Sequence, residues 1–118
     1  MDARPDDATL AREIVDVLVD RQATDVTLLD LTELNTFADY FVIATAGNER
    51  HMGALIDAMV KLPNTIPGLR VHQEGDASEG WVLLDCGAAL VHLFTMEARV
   101  HYDLEALWSR AQQVVKVQ

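Results

Sequence analysis

The stretch from Trp81 to Phe94 constrains this chain most: Trp-Val-Leu-Leu-Asp-Cys-Gly-Ala-Ala-Leu-Val-His-Leu-Phe. Two apolar runs flank a short turn at Cys86-Gly87-Ala88, where Gly87 can take a positive φ without steric cost. The pattern predicts a β-hairpin. A strand with one face in water alternates apolar and polar residues, whereas these runs are apolar almost throughout. Such strands sit in the middle of a sheet, or one of their faces is kept for a partner. Only Asp85 and His92 interrupt them with strongly polar groups.

The flanking sequence predicts the rest of the fold. Residues 1–6 read as a frayed lead-in. Asp7 or Thr9 can cap a helix running to about Ala23, with Leu10, Ile14, Val17 and Leu18 as one apolar stripe. Residues 25–31 form a strand, and a loop with a helical turn follows. Residues 38–46, rich in aromatic and β-branched types, make the best central strand. Asn48 caps a second helix with Met52, Leu55, Ile56 and Met59 facing inward, and Pro63 stops it at about Leu62. Residues 69–74 alternate, as a half-exposed strand near a sheet edge does. Helix resumes from Met96 to about Arg110, with Val100, Leu104, Leu107 and Trp108 as its apolar side and a kink at Asp103. Residues 114–118 are expected to fray. The order is α-β-β-α-β-β-β-α: one α/β domain of mixed α+β type over residues 1–118, with a mixed sheet of about five strands and helices packed on it.

Charge and composition narrow the function. The net charge of −10 argues against a grip on nucleic acid through phosphates, and it suits a basic protein partner. Residues 1–40 hold ten acids and three bases, so most of the excess lies there. No apolar run approaches the ~18 residues of a membrane span. The single cysteine, Cys86, excludes an internal disulfide and fits a reducing cytosol. The acidic N-terminus resembles neither a secretory signal nor a transit peptide.

Chemistry is sparse. Thr45 to Arg50 lies between strand and helix, the right place for an anion, but it has one glycine and no phosphate-binding lysine. His51, His72, His92 and His101 show no metal-ligand spacing. His92 on an apolar strand reads as a hydrogen-bonded structural residue, and Cys86 as a small buried hydrophobe. No catalytic, cofactor-binding or metal-binding residue is assigned.

Three blocks carry a resemblance. The first is Ala38-Asp39-Tyr40-Phe41-Val42-Ile43, then Thr45 and Arg50-His51. The second is Glu74-Gly75, then Trp81 to Gly87 and Val91-His92-Leu93-Phe94. The third is Glu97, Arg99, Tyr102, Leu104-Glu105 and Leu107-Trp108. In this order they resemble the ribosomal silencing factor family (RsfS, Iojap-like), from about Leu10 to Ala111. The resemblance implies a nucleotidyltransferase-like fold without the activity, and no cofactor. It implies binding to the fourteenth protein of the large ribosomal subunit, a basic protein on the intersubunit face. Steric exclusion of the small subunit would then repress translation when nutrients are short. It also implies a homodimer when free, a cytoplasmic location, and no direct hold on nucleic acid or membrane. The chain departs from the family pattern at Ala46 and Asn48, ahead of Arg50-His51, and at Ala88 in the hairpin turn.

The residues expected to meet a partner are Glu74, Trp81, Leu83, Asp85, His92, Phe94, Arg99 and Tyr102. Aromatic and arginine side chains favour interface centres, and Arg99 is expected to pair with a carboxylate of its own chain or of the partner. Two other readings stay open: a homodimeric adaptor for another basic protein, and a small nucleotide- or metal-dependent enzyme.

Overall fold

A computed structural model describes residues 6–34 and 38–117. Helix α1 spans Asp7–Asp20 and buries Leu10, Ala11, Ile14, Val15 and Leu18. Its cap is Asp6, whose carboxylate accepts the Thr9 N–H at 2.8 Å, in place of the expected Asp7 or Thr9. Thr9 is the donor and Asp6 the cap. Asp6 is thus part of the helix start, while the rest of the expected lead-in, residues 1–5, lies outside the described residues. Strand β1 (Thr24–Asp30) leads through a 3₁₀ turn, Thr32–Leu34, to β2 (Tyr40–Ala46). Helix α2 (Glu49–Val60) is capped by Asn48 as expected. Past it, Pro63 sits inside a 3₁₀ turn, Leu62–Asn64.

Strand β3 covers only His72–Glu74; Leu69 is buried ahead of it, outside the ladder. A 3₁₀ turn, Ala77–Glu79, then feeds the hairpin of β4 (Trp81–Asp85) and β5 (Ala89–Thr95). Gly87 takes φ +87°, and its N–H donates to the Asp85 carboxylate at 2.9 Å, which pins the turn. Helix α3 (Met96–Tyr102) stops at Asp103, a left-handed residue with φ 48° and ψ 50°, and α4 (Leu104–Leu107) follows.

The sheet has six strands in the order β3-β4-β5-β2-β1-β6, where the sequence predicts about five. The extra strand is β6, Gln112–Val117, antiparallel to β1 along its outer edge. The expected fraying of residues 114–117 is therefore corrected: Val114, Val115 and Val117 pack against the core, and β1 supplies the ladder. Gln118 lies outside the described residues. All neighbouring strands are antiparallel except β2 and β5, which run parallel across the connection carrying α2, β3 and β4.

Two cores sandwich the sheet. Val26, Leu28, Val42, Ala44, Val82, Leu84, Val91 and Leu93 point to α1 and α2. Leu29, Phe41, Ile43, Leu90 and Phe94 point to the opposite side, where Ala98, Leu104 and Trp108 pack on them. This explains why β2 and β5 are apolar at nearly every position: both faces are covered. Strand β4 differs, alternating half-buried, buried, half-buried, buried, exposed. Its apolar excess thus leaves Trp81 and Leu83 partly open.

The expected apolar side of the last helix is also corrected. Val100 is 77% exposed and Leu107 73% exposed, while Leu104 and Trp108 pack inward. The left-handed residue at Asp103 turns α4 relative to α3, so one helical period does not run through both.

Candidate functional site

Register places the expected partner-binding residues on a single side. Residues directly opposite in an antiparallel pair share a face. Trp81 faces Phe94, Leu83 faces His92, Asp85 faces Leu90, and Glu74 faces Leu83. This is the face of the second core. Helix α3 brings the last two. Tyr102 lies over Trp81 and Phe94, with ring centroids 4.6 and 6.2 Å away. Arg99 reaches the hydroxyls of Thr27 and Thr45 on β1 and β2.

Sharing a face is not the same as being accessible. Tyr102 is 49% exposed, Trp81 and Leu83 are half-buried, and Glu74 and Asp85 are exposed. His92 and Phe94, expected as contact residues, are buried at 6% and 0%. Neither can be reached from outside without unpacking the second core, so both lie beneath this face and not on it. Phe94 is the floor on which the Trp81 ring stacks, 5.2 Å away at 28°. Burying such a side chain stabilises the fold by about 1.5–3 kcal/mol.

Arg99 is committed to its own chain. Its guanidinium donates to both carboxylate oxygens of Glu105, at 3.1 and 2.9 Å, to the Asp25 carbonyl, and to Thr45 and Thr27 at 2.9 and 3.2 Å. It fastens α3 and α4 to the sheet and satisfies two otherwise buried hydroxyls. The docking of α3 fixes where Tyr102 sits.

The third buried polar residue is His92. Its Nδ1 accepts the Trp81 indole N–H at 3.2 Å, and its Nε2 has no hydrogen-bond partner among the described residues. Phe41 approaches edge-on at 4.7 Å. An indole N–H only donates, so Nδ1 must carry the lone pair and the neutral ring carries its proton on Nε2. Burial pushes its pKa down to about 4, which keeps the ring neutral at ordinary pH. A buried donor without an acceptor costs about 1–3 kcal/mol.

A groove of about 460 Å³ adjoins Tyr102. Glu49 from the start of α2, Glu79 from the 3₁₀ turn and Glu97 from α3 line it, with His101 beside them. All three glutamates are exposed. The sequence reading missed this acidic border, because the three carboxylates come from separate segments and only the fold assembles them.

The alternatives to a surface role find little in the same structure. At the start of α2, Asn48 accepts the His51 N–H at 2.7 Å, and the His51 ring accepts the Gly47 N–H at 2.8 Å. The chain's own side chains therefore occupy two of the donors that an anion would use. A cavity of about 600 Å³ lies by the hairpin turn, at the opposite end of β4 from Trp81. Cys86 lines it together with Asp6, Asp7 and Arg70. Burial, then the Asp85 carboxylate, pushes the Cys86 thiol up to about 12, far from a reactive thiolate. Among the described residues no group of histidine, cysteine and carboxylate side chains could hold a metal ion. None of their helices is long and apolar enough to cross a membrane.

Two of the three departures from the family pattern, Asn48 and Ala88, are absorbed locally. Asn48 caps α2 in full. At Ala88 the backbone carbonyl takes the Asp39 and Tyr40 N–H groups at 2.9 and 3.0 Å, a task any side chain permits.

Fold and site together define an α+β domain with a mixed six-stranded sheet, one face covered by α1 and α2 and the other partly open at β4. A family model described as ribosomal silencing factor during starvation, RsfS, matches residues 4–118. The chain belongs to that family. It is 33% identical to the ribosomal silencing factor RsfS of Zymomonas mobilis, over 87% of this chain and 77% of that protein. It is 34% identical to the factor of the same name from Bacillus subtilis, over 78% of each. A crystal structure of a Chromobacterium violaceum protein superposes with a TM-score of 0.79 at 29% identity, covering 98% of this chain and 92% of that one.

Proposed function

We propose that this chain silences ribosomes by binding the fourteenth protein of the large ribosomal subunit and excluding the small subunit, which represses translation under nutrient limitation. Family membership supports silencing. The observation that carries the binding mode is the partly open strip of Trp81, Leu83 and Tyr102, bordered by Glu74, Asp85 and the groove glutamates. An aromatic centre with an acidic border suits a basic protein, and the net charge of −10 disfavours a hold on ribosomal RNA. The action is steric and cytoplasmic, without catalysis or cofactor. The site is Glu74, Trp81, Leu83, Asp85 and Tyr102 in contact, with His92, Phe94 and Arg99 behind them.

The free protein is a homodimer in this reading. Met96 and Val100, one turn apart on α3, are 70% and 77% exposed, an apolar ridge available to a second copy. Sedimentation of mixed subunits with and without the protein tests silencing: free subunits should accumulate at the expense of the joined ribosome. Unchanged joining at saturating protein would sink the proposal. A pull-down with the isolated large-subunit protein separates this reading from an adaptor for some other basic partner.

A further inference from the structure

Among the described residues three polar side chains are buried, and two of them, Thr27 and Thr45, are satisfied by Arg99. His92 is different. One ring nitrogen meets Trp81, and the other, a donor, finds no acceptor among the described residues. A phenyl ring would fill the space beside Phe41 and Phe94 without burying an unmatched N–H. Imidazole is therefore a poor choice for packing alone. What it supplies is an acceptor, aimed at the indole of a partly open aromatic residue on this face.

The Trp81 ring is held from several directions. Phe94 lies beneath it, Tyr102 is 4.6 Å away, and His92 Nδ1 takes its N–H. Stacking alone leaves the indole free to turn in its plane or flip. A hydrogen bond at its one polar atom selects a single orientation. Large side chains fixed before association lose less freedom on binding.

We propose that His92 is a positioning residue for docking: its Nδ1 fixes the Trp81 indole, and Trp81, not His92, touches the partner. The inference rests on reading this face as the partner-binding surface. His92 then acts from beneath the interface, and its unmatched Nε2–H is the cost of presenting an acceptor in an apolar layer.

The test uses the full chain and the recombinant fourteenth protein of the large subunit. Its two tryptophans give two indole N–H signals in a nitrogen–proton correlation spectrum, and Trp108 is the internal reference. His92→Phe should move the Trp81 signal toward that of a free indole and leave Trp108 in place. It should weaken partner binding about three- to tenfold, with an unchanged or raised melting temperature. His92→Asn places an amide oxygen near the position of Nδ1. It should restore the Trp81 signal and most of the affinity despite its smaller volume, and it carries the test should the phenylalanine variant fail to fold. A Trp81 signal that ignores both substitutions overturns the proposal, as does wild-type affinity in His92→Phe with a displaced indole. Failure of the wild-type protein to bind would instead remove the functional reading, and the indole signals would still decide whether His92 sets Trp81.

Discussion

Arg99 and Glu105 form a two-pronged pair across the break between α3 and α4, with N–O distances of 3.1 and 2.9 Å. The arginine side chain is 11% exposed and the glutamate 37%. The pair therefore spans the edge of the core, where solvent screens the carboxylate more than the guanidinium. Arg99→Ala strands the Thr27 and Thr45 hydroxyls and releases both helices, and is expected to cost about 3 kcal/mol. Glu105→Ala leaves Arg99 its carbonyl and hydroxyl partners, so about 1–2 kcal/mol is expected. Arg99→Lys should recover less than half of the loss, since an ammonium cannot make the same fork. Urea midpoints of the three variants check this ordering.

The acidic border gives a prediction about rates. Glu79 and Glu97 are exposed on either side of one groove and make no ion pair among the described residues. Reversing both, Glu79→Lys with Glu97→Lys, should leave stability within about 0.5 kcal/mol. On the proposed binding mode, affinity for the large-subunit protein should fall roughly tenfold at low salt, mainly through slower association. Raising the salt to about 0.5 M should shrink the gap between variant and wild type. Stopped-flow association at several ionic strengths provides the measurement. An equal loss at all salt concentrations would remove electrostatic steering from the account.

Sequence legibility follows the range of the forces. The hairpin was readable because its evidence is local: two apolar runs and Gly87 at the turn. The alternation of side chains along any strand also puts Trp81, Leu83 and Asp85 on one face, so the grouping of the site residues was implicit in the sequence. Their burial was not. Whether Phe94 and His92 lie open depends on α3, which Arg99 fastens to strands far away in the chain. Strand β6 escaped for the same reason. Its valines show β propensity, but their partner is β1 near the other end of the sequence. The break at Asp103 was legible, yet its consequence for Val100 and Leu107 was missed by carrying one helical period across it.

Acid should expose the His92 environment. Its ring neighbours Phe41, Trp81 and Phe94 and its cross-strand partners Leu83 and Ile43 are uncharged, and burial alone lowers its pKa from 6.5 to about 4. Between those values the unfolded chain takes up a proton that the folded chain refuses. This contribution is complete above pH 6.5 and is lost as pH falls toward 4, on the order of 3 kcal/mol in total. Protonation would also turn Nδ1 from acceptor to donor and break its bond to Trp81. Unfolding free energies measured in urea at pH 7 and pH 4.5 should differ less in His92→Phe than in the wild type. Equal pH dependence in the two proteins would assign the acid response to other groups.

Cys86 should be inert in the folded protein. It is 5% exposed, and with its pKa pushed up to about 12 only about 10⁻⁴ of it is thiolate at pH 8. Labelling by an aromatic disulfide reagent at pH 8 should run at least ~100-fold slower than in guanidinium. Fast labelling of the native protein would mean that the hairpin turn opens.

The C-terminal strand offers the last prediction. Ending the chain after Ala111 removes the ladder between β6 and β1 and uncovers the first core where Val114, Val115 and Val117 pack. These valines are half-buried, so each contributes about 1 kcal/mol, and the loss should reach about 3 kcal/mol before the ladder is counted. For a domain of this size that is a fall of roughly 10 °C or more in melting temperature. The new edge would be β1, Thr24–Asp30, whose Val26, Leu28 and Leu29 are buried in the full chain. An uncovered apolar edge pairs with other chains. The truncated protein should therefore elute from a sizing column partly as larger species. A truncated protein that melts and elutes like the full chain would show that β6 contributes nothing to the fold.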